Sequence, residues 1–145
     1  MDLTVKKFYE LSLDELFEIY RLRAQVFVVE QNCVYQDIDE WDKAAYHVFL
    51  KGNGEMQAYL RVLPPNLAFD DVSIGRVVTA KRRCGLGTKI MEEGIRIAKE
   101  KLDAKSVTIK AQLYAKKFYE RFGFREISEE FLEDGILHID MKAVL

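Results

Sequence analysis

The chain has 145 residues, 49% of them hydrophobic and 12% aromatic, which suits one closed core and excludes a disordered tail. Its 22 basic and 24 acidic residues are interspersed and sum to a net charge of −2, so no nucleic acid is expected as a partner. No stretch approaches the ~20 apolar residues of a membrane span, Met1-Asp2-Leu3-Thr4 does not resemble a secretion signal, and the two cysteines and two histidines show no close-spaced metal pattern; the expectation is a cytoplasmic, reduced domain with no metal and no membrane insertion.

Residues 3–8 read as a first strand. Ser12 is a candidate N-cap, Asp14 and Glu15 suit the first turn, and Leu13, Leu16, Phe17, Tyr20, Ala24 and Phe27 recur at helical spacing, predicting an amphipathic helix of about four turns. Neither period holds over residues 28–42, where aromatics, amides and carboxylates mix as in a functional loop with room for a short helix. Residues 46–51 and 56–63 flank Gly52-Asn53-Gly54 as a hairpin, which Pro64-Pro65 ends. A strand over residues 73–79 leads through a glycine loop into a helix from near Thr88 to Leu102, buried along Ile90, Met91, Ile95, Ala98 and Leu102. Gly94 costs this helix up to ~1 kcal/mol relative to alanine, which points to close packing against a neighbour. Residues 106–111 form a strand with Val107 and Ile109 on one face and Thr108 and Lys110 on the other. A helix over residues 113–122 ends at Gly123, a natural left-handed cap, and strands over 124–127 and 135–144 flank an acidic connection over 129–134. Strands and helices in this order predict a single α+β domain over residues 1–145.

The most informative segment is Arg82-Arg83-Cys84-Gly85-Leu86-Gly87. Two glycines at the mouth of a helix let backbone N–H groups converge on an anion, and the helix field favours negative charge there. The pattern is neither a P-loop nor the dinucleotide fingerprint, and an ordinary structural turn remains an equal alternative at this point. Arg82 could add charge at the rim, and Gln112, near the end of its strand, is a candidate contact for coenzyme or substrate.

Val77-Val78-Thr79-Ala80-Lys81-Arg82-Arg83-Cys84-Gly85-Leu86-Gly87-Thr88 and Phe118-Tyr119-Glu120-Arg121-Phe122-Gly123-Phe124, in that order with a helix and strand between them, resemble two signatures of the GNAT superfamily of acyl-CoA-dependent N-acyltransferases. The resemblance spans almost the whole chain. The run from Arg23-Ala24-Gln25-Val26-Phe27 through Asp37-Ile38-Asp39 further resembles the ElaA-like branch, which is bacterial and largely without an established acceptor. What the resemblance implies is a GNAT-like mixed central sheet with helices on both faces, whose parallel strands, 73–79 and 106–111, separate to form the acyl-CoA cleft. It further implies acetyl-CoA or another acyl-CoA as donor. The backbone of Val77, Val78 and Thr79 would pair with the pantetheine arm, Arg83, Cys84, Gly85, Leu86, Gly87 and Thr88 would cradle the pyrophosphate, and Tyr119 would protonate the departing thiolate.

A neutral phenol, with pKa ~10, suits that last role; an amphipathic core tyrosine is the other reading. The acceptor amine needs a base, for which Glu30, Asp37, Asp39 and His138 are candidates. Glu30 follows Phe27-Val28-Val29 and either points inward or pairs with Arg23, whereas Asp37 and Asp39 suit turns or solvent better. His138 sits in the terminal strand within Gly135-Ile136-Leu137-His138-Ile139, a setting the ElaA-like resemblance includes, and ranks level with Glu30. Tyr35 and Trp41 either wall a pocket or staple the long loop, and Arg76 needs a partner the sequence does not name, orienting a carboxylate on the acceptor or bridging the N-terminal loop. Cys84 has no histidine base nearby, which ranks covalent catalysis below direct attack. The expected activity is acetyl transfer from acetyl-CoA to an unidentified primary amine. The alternatives are a coenzyme-A-binding sensor that transfers little and a structural homodimer built on exposed strand edges.

Overall fold

Short-range capping sets the first elements. β1 (Asp2–Lys7) leads through a 3₁₀ turn to Ser12, whose hydroxyl accepts the Glu15 N–H at 3.0 Å while Glu15 accepts the Ser12 N–H at 2.8 Å. This reciprocal cap starts α1 (Leu13–Arg23). The helix does not keep its period to Phe27 as expected: Ala24–Glu30 winds as a π-helix, with Gln31 N–H donating to Val26 O and Cys33 N–H to Val28 O. Val26, Val28 and Val29 crowd a tight α-turn, and the wider winding carries Phe27 and Gln31 toward the centre of the molecule.

The computed structural model describes residues 1–82 and 84–145. After a 3₁₀ turn at Glu40–Lys43 come β2 (Tyr46–Gly52), β3 (Glu55–Leu63), β4 (Val72–Thr79), α2 (Leu86–Leu102), β5 (Ser106–Gln112), a 3₁₀ turn at Leu113–Ala115, α3 (Lys116–Glu120), β6 (Arg125–Glu126), β7 (Phe131–Glu133) and β8 (Ile136–Val144). They form one sheet in the order β1-β2-β3-β4-β5-β8-β6, with β7 also paired to β8. Only β4 and β5 run parallel, and every other pair is antiparallel.

Strand alternation loads both faces. Phe49, Tyr59 and Val78 pack with Ile19 of α1 on one side, while Val48, Leu50, Leu60 and Ile74 pack with Ile90, Met91, Ile97 and Ala98 of α2 on the other. A methyl group on Gly94 would stand 2.7 Å from Leu60 Cδ2, which accounts for glycine inside α2. Ile97 joins the buried stripe, and Ile95 and Leu102 are only partly covered.

Three boundaries differ from expectation. α2 starts at Leu86 rather than Thr88 because Gly85 adopts φ 78 as its N-cap and lets the chain turn directly into the helix. The predicted helix over 113–122 is a 3₁₀ turn followed by the short α3, with Gly123 at φ 91 beyond it. The acidic connection holds β7, joined to β8 through Asp134 and Gly135 at φ 52 and 76, the left-handed pair of a tight hairpin.

Candidate active site

β4 and β5 pair only at Val72 with Val107 and at Ser73 with Thr108, then part. On its other edge β4 bulges. Tyr59 faces Val78 and Arg61 faces Gly75, so two residue steps on β3 oppose three on β4, and Arg76 takes up the excess at φ 50. Past Ser73 the β5-facing edge of β4 therefore has backbone groups without a strand partner. The parting opens a cleft of about 680 Å³, lined among others by Tyr35, Trp41, Arg76, Val77, Gln112, Tyr119 and His138.

One wall is a lattice of charges. Arg23, fully buried at the end of α1, donates to Asp42 at 2.7 Å, to the Asp37 carboxylate at 2.9 Å and to the Asp37 carbonyl at 2.8 Å. Arg61 donates to Asp39 at 2.6 Å and to Asp42 at 2.9 Å. Arg76 Nε lies 2.8 Å from Asp37, its Nη2 donates to the Asp37 carbonyl at 3.1 Å, and its guanidinium sits 5.7 Å from the centre of the Tyr35 ring. Buried Asp37 thus anchors the long loop rather than facing solvent, while Asp39, 31% exposed, starts the 3₁₀ turn as the turn reading expected and also binds Arg61. Burial opposes ionisation of Asp42, yet the Arg23 hydrogen bonds and the Arg23 and Arg61 charges prevail and hold its carboxyl below the ordinary range. Behind it, His47 Nε2 meets the Asp42 carbonyl at 2.8 Å and Nδ1 meets the Tyr59 hydroxyl at 2.7 Å. A carbonyl only accepts, so Nε2 carries the proton and Nδ1 accepts from Tyr59. Trp41 and Tyr35 serve both readings offered for them, lining the cleft and lying against Arg61 and Arg76.

The opposite wall comes from α3, β5, β7 and β8. Tyr119 packs edge-on against Phe118 and Phe124 with its hydroxyl free of hydrogen bonds among the described residues. Burial, reinforced by Tyr114, pushes its phenol above the ordinary range and keeps it protonated at neutral pH. His138 is 9% exposed, stacks on Phe131 and has Nδ1 2.8 Å from the Ile136 carbonyl. By the same logic Nδ1 carries the proton and Nε2 holds a lone pair with no partner among the described residues. Opposite His138 on β5, Gln112 exchanges amide hydrogen bonds with Gln31 at 3.0 and 3.3 Å, tying the π-helix to this wall. Glu30 is not brought here: it is exposed at the end of the π-helix and does not line the cleft, because the widened winding turns Phe27 and Gln31 inward instead.

The glycine loop lies beyond Thr79. Gly85 caps α2 without a side-chain partner, leaving first-turn N–H groups available to an anion. Val78 and Leu86 bury their side chains in the core, so only their backbones could serve a ligand. Arg82 and Cys84 are exposed, and the Cys84 thiol donates to the Lys81 carbonyl at 3.4 Å; Arg83 lies outside the described residues. The two signature segments meet at Gly87, where a methyl group would stand 3.3 Å from Phe118, and at Thr88, whose hydroxyl accepts from Arg121 at 3.5 Å. Arg121 is a cation beside this helix start that sequence reasoning quoted without assigning a role. Asp140, which alternates with His138 along the terminal strand but was given no role, lines the cleft on the same face two positions after it.

No helix among the described residues is long and apolar enough to cross a membrane. The acetyltransferase (GNAT) domain family matches residues 14–145. Protein ElaA of Escherichia coli is 38% identical over 136 residues, covering 91% of this chain and 89% of that protein, and its crystal structure has a TM-score of 0.90 over 98% of both chains. An acyl-CoA N-acyltransferase from Pseudomonas aeruginosa has a TM-score of 0.92 at 39% identity, covering 99% of this chain and 100% of that one. A UPF0039 protein of Schizosaccharomyces pombe is 38% identical over 149 aligned positions, covering 100% of this chain and 98% of its own, so likeness at this level is not confined to bacteria.

Proposed function

The chain belongs to the acetyltransferase (GNAT) domain family, with the fold and acyl-CoA cleft of its ElaA-like members, and from that premise we propose that it transfers an acetyl group from acetyl-CoA to a primary amine by direct attack. The observation that carries this reading is the parting of β4 from β5 after Ser73, which gives one cleft lined by Val77 from the donor side and by Tyr119 and His138 from the other.

In this reading the unpaired β4 edge at Val77 to Thr79 holds the pantetheine arm. The helix start at Gly85, Leu86, Gly87 and Thr88, with Arg82, Arg83 and Cys84 in the loop before it, receives the pyrophosphate. The donor residues fit such a ligand because Gly85, left-handed at φ 78, supplies no competing side-chain cap and the space beside its Cα is open. His138 Nε2 takes a proton from the incoming ammonium, and the freed nitrogen forms a bond to the thioester carbonyl carbon. As the carbon–sulfur bond breaks, the Tyr119 hydroxyl gives its proton to sulfur, the acylated nitrogen sheds its second proton to solvent, solvent reprotonates Tyr119, and His138 releases the proton it took. Gln112, held by Gln31, borders the acyl group. A cytoplasmic setting, where acyl-CoA is available, accords with this chemistry.

Incubation with acetyl-CoA and a panel of primary amines, reading free thiol and confirming the acylated amine by mass spectrometry, tests the proposal. Product formation supports it. Tight coenzyme A binding with no acylated product from any amine would replace it with a coenzyme-A-binding sensor.

A further inference from the structure

The two walls of the cleft differ in net charge. On the loop side, Arg23, Arg61 and Arg76 face Asp37, Asp39 and Asp42, and each of the six has a partner of opposite sign. Each guanidinium there is already neutralised by a carboxylate, and only the single N–H groups of Arg61 Nε and Arg76 Nε lack a hydrogen bond among the described residues. On the β5–β8 side, Glu133, Asp134 and Asp140 line the cleft with Lys110 as the one lysine, and Lys110 is bound to Glu133 at 2.7 Å. Asp134 and Asp140 have no ion pair among the described residues. Asp140 Oδ1 is buried without a hydrogen-bond partner, although its backbone N–H is held by Ser128 Oγ at 2.9 Å.

His138 is 9% exposed, lines the same cleft and presents an unpartnered Nε2. It precedes Asp140 by two positions on one strand, so both side chains leave the same face about 7 Å apart. A nitrogen at His138 and a cation at Asp140 are therefore separated by about four methylenes.

Resting on the amine-acceptor reading above, we propose that the acceptor carries a second cationic group and that Asp140, supported by Asp134 and Glu133, receives it. The substrate class is a diamine or polyamine, not an amino acid and not an uncharged alkylamine. The open carboxylate oxygen is completed by an N–H donor, a cationic donor adds charge attraction to that hydrogen bond, and a substrate carboxylate would meet the same acidic wall with like charge.

Calorimetry on the coenzyme-A-loaded protein with 1,4-diaminobutane, butylamine and 4-aminobutanoate separates these classes at constant length. Diaminobutane should bind about tenfold or more tightly than either of the others. Asp140→Asn should bring the diamine-to-butylamine ratio close to one. Asp134→Asn, at an exposed position with φ 52 that asparagine tolerates, should lower the ratio by a smaller factor while keeping the fold. Equal binding of diamine and butylamine, no diamine binding, or an unchanged ratio in Asp134→Asn and Asp140→Asn would overturn the proposal; should Asp140→Asn fail to fold, the wild-type ratio and Asp134→Asn decide. The same amines given acetyl-CoA test the chemistry separately. Absence of acylated product from all three removes amine acylation as the function, while the binding ratio still decides whether the cleft selects a second cation.

Discussion

Asp42 and Asp140 stand on opposite sides of one cleft and differ in everything but their chemistry. Asp42 is 1% exposed and accepts from Arg23 and Arg61 at 2.7 and 2.9 Å, whereas Asp140 Oδ1 has no donor among the described residues. Arginine contacts hold the Asp42 carboxyl below its ordinary range, while burial pushes the Asp140 carboxyl up against opposing pulls from Lys110 and His138. The contrast extends to the histidines: both ring nitrogens of His47 are engaged, and one nitrogen of His138 is not. Polar groups whose partners lie within the chain fix the loop and the bulge at Arg76. Those left open beside a cavity are the ones a ligand can complete.

The sharpest way to break this distinction is to delete one aspartate on each wall. Asp42→Ala strands Arg23 and Arg61 in a buried site and should cost about 3–5 kcal/mol in urea unfolding. Asp140→Ala removes an orphan and should change stability by less than about 1 kcal/mol. Similar losses at both positions would dissolve the difference between the walls. On the open wall the effect should appear in chemistry instead. Tyr119→Phe keeps the ring contacts with Phe118 and Phe124 and should lower kcat by about 100-fold or more with coenzyme A affinity retained. Full turnover across pH would remove Tyr119 as the proton donor.

The donor end was more legible in the sequence than the acceptor end, for a physical reason. The glycine loop is local: Gly85, Gly87 and the helix after them are neighbours in the chain, so spacing reports the turn, although it left an ordinary turn and an anion site as equal readings. The coupling to Phe118, invisible in spacing, entered through resemblance and is explained by the 3.3 Å approach at Gly87. The charge lattice was not legible because it joins Arg23, Asp42, Arg61 and Arg76 from four separate elements, and a sequence does not say which charges meet. For Glu30 the sequence offered an inward or an outward position in a stretch without a clean period, and the π-helix over Ala24–Glu30 leaves it exposed. The β7–β8 hairpin was missed although Asp134-Gly135 is a strong turn signal, since the acidic flanks obscured the strand.

A third region tests whether backbone can do what neither wall's side chains do. Gly85→Asp adds a negative charge and an unfavourable left-handed residue at φ 78 beside the helix start. Coenzyme A affinity should fall about tenfold or more by calorimetry. Gly85→Asn carries the same strain without the charge and should lose less. Equal losses would assign the effect to strain and weaken the anion-site reading of the loop.

The smallest expected effect separates the walls by pH. Burial comes first among the influences on His47 and, with the Arg23 and Arg61 charges, outweighs the Asp42 contacts and lowers it from 6.5. Below about that pH the unfolded chain takes up a proton that folded His47 does not, so stability falls as pH drops through the window between the two values, by at most about 1.4 kcal/mol per pH unit. Asp42, lowered from 3.8, adds a loss in the same direction only at pH below that value, since the unfolded chain again binds protons first. Thermal midpoints followed from pH 7.5 to about 5 should therefore decline, and His47→Gln, which can donate to the Asp42 carbonyl and accept from Tyr59, should flatten the decline. A wild-type midpoint that does not move over this range, or a slope that persists unchanged in His47→Gln, would show that the buried lattice is not where protonation meets folding.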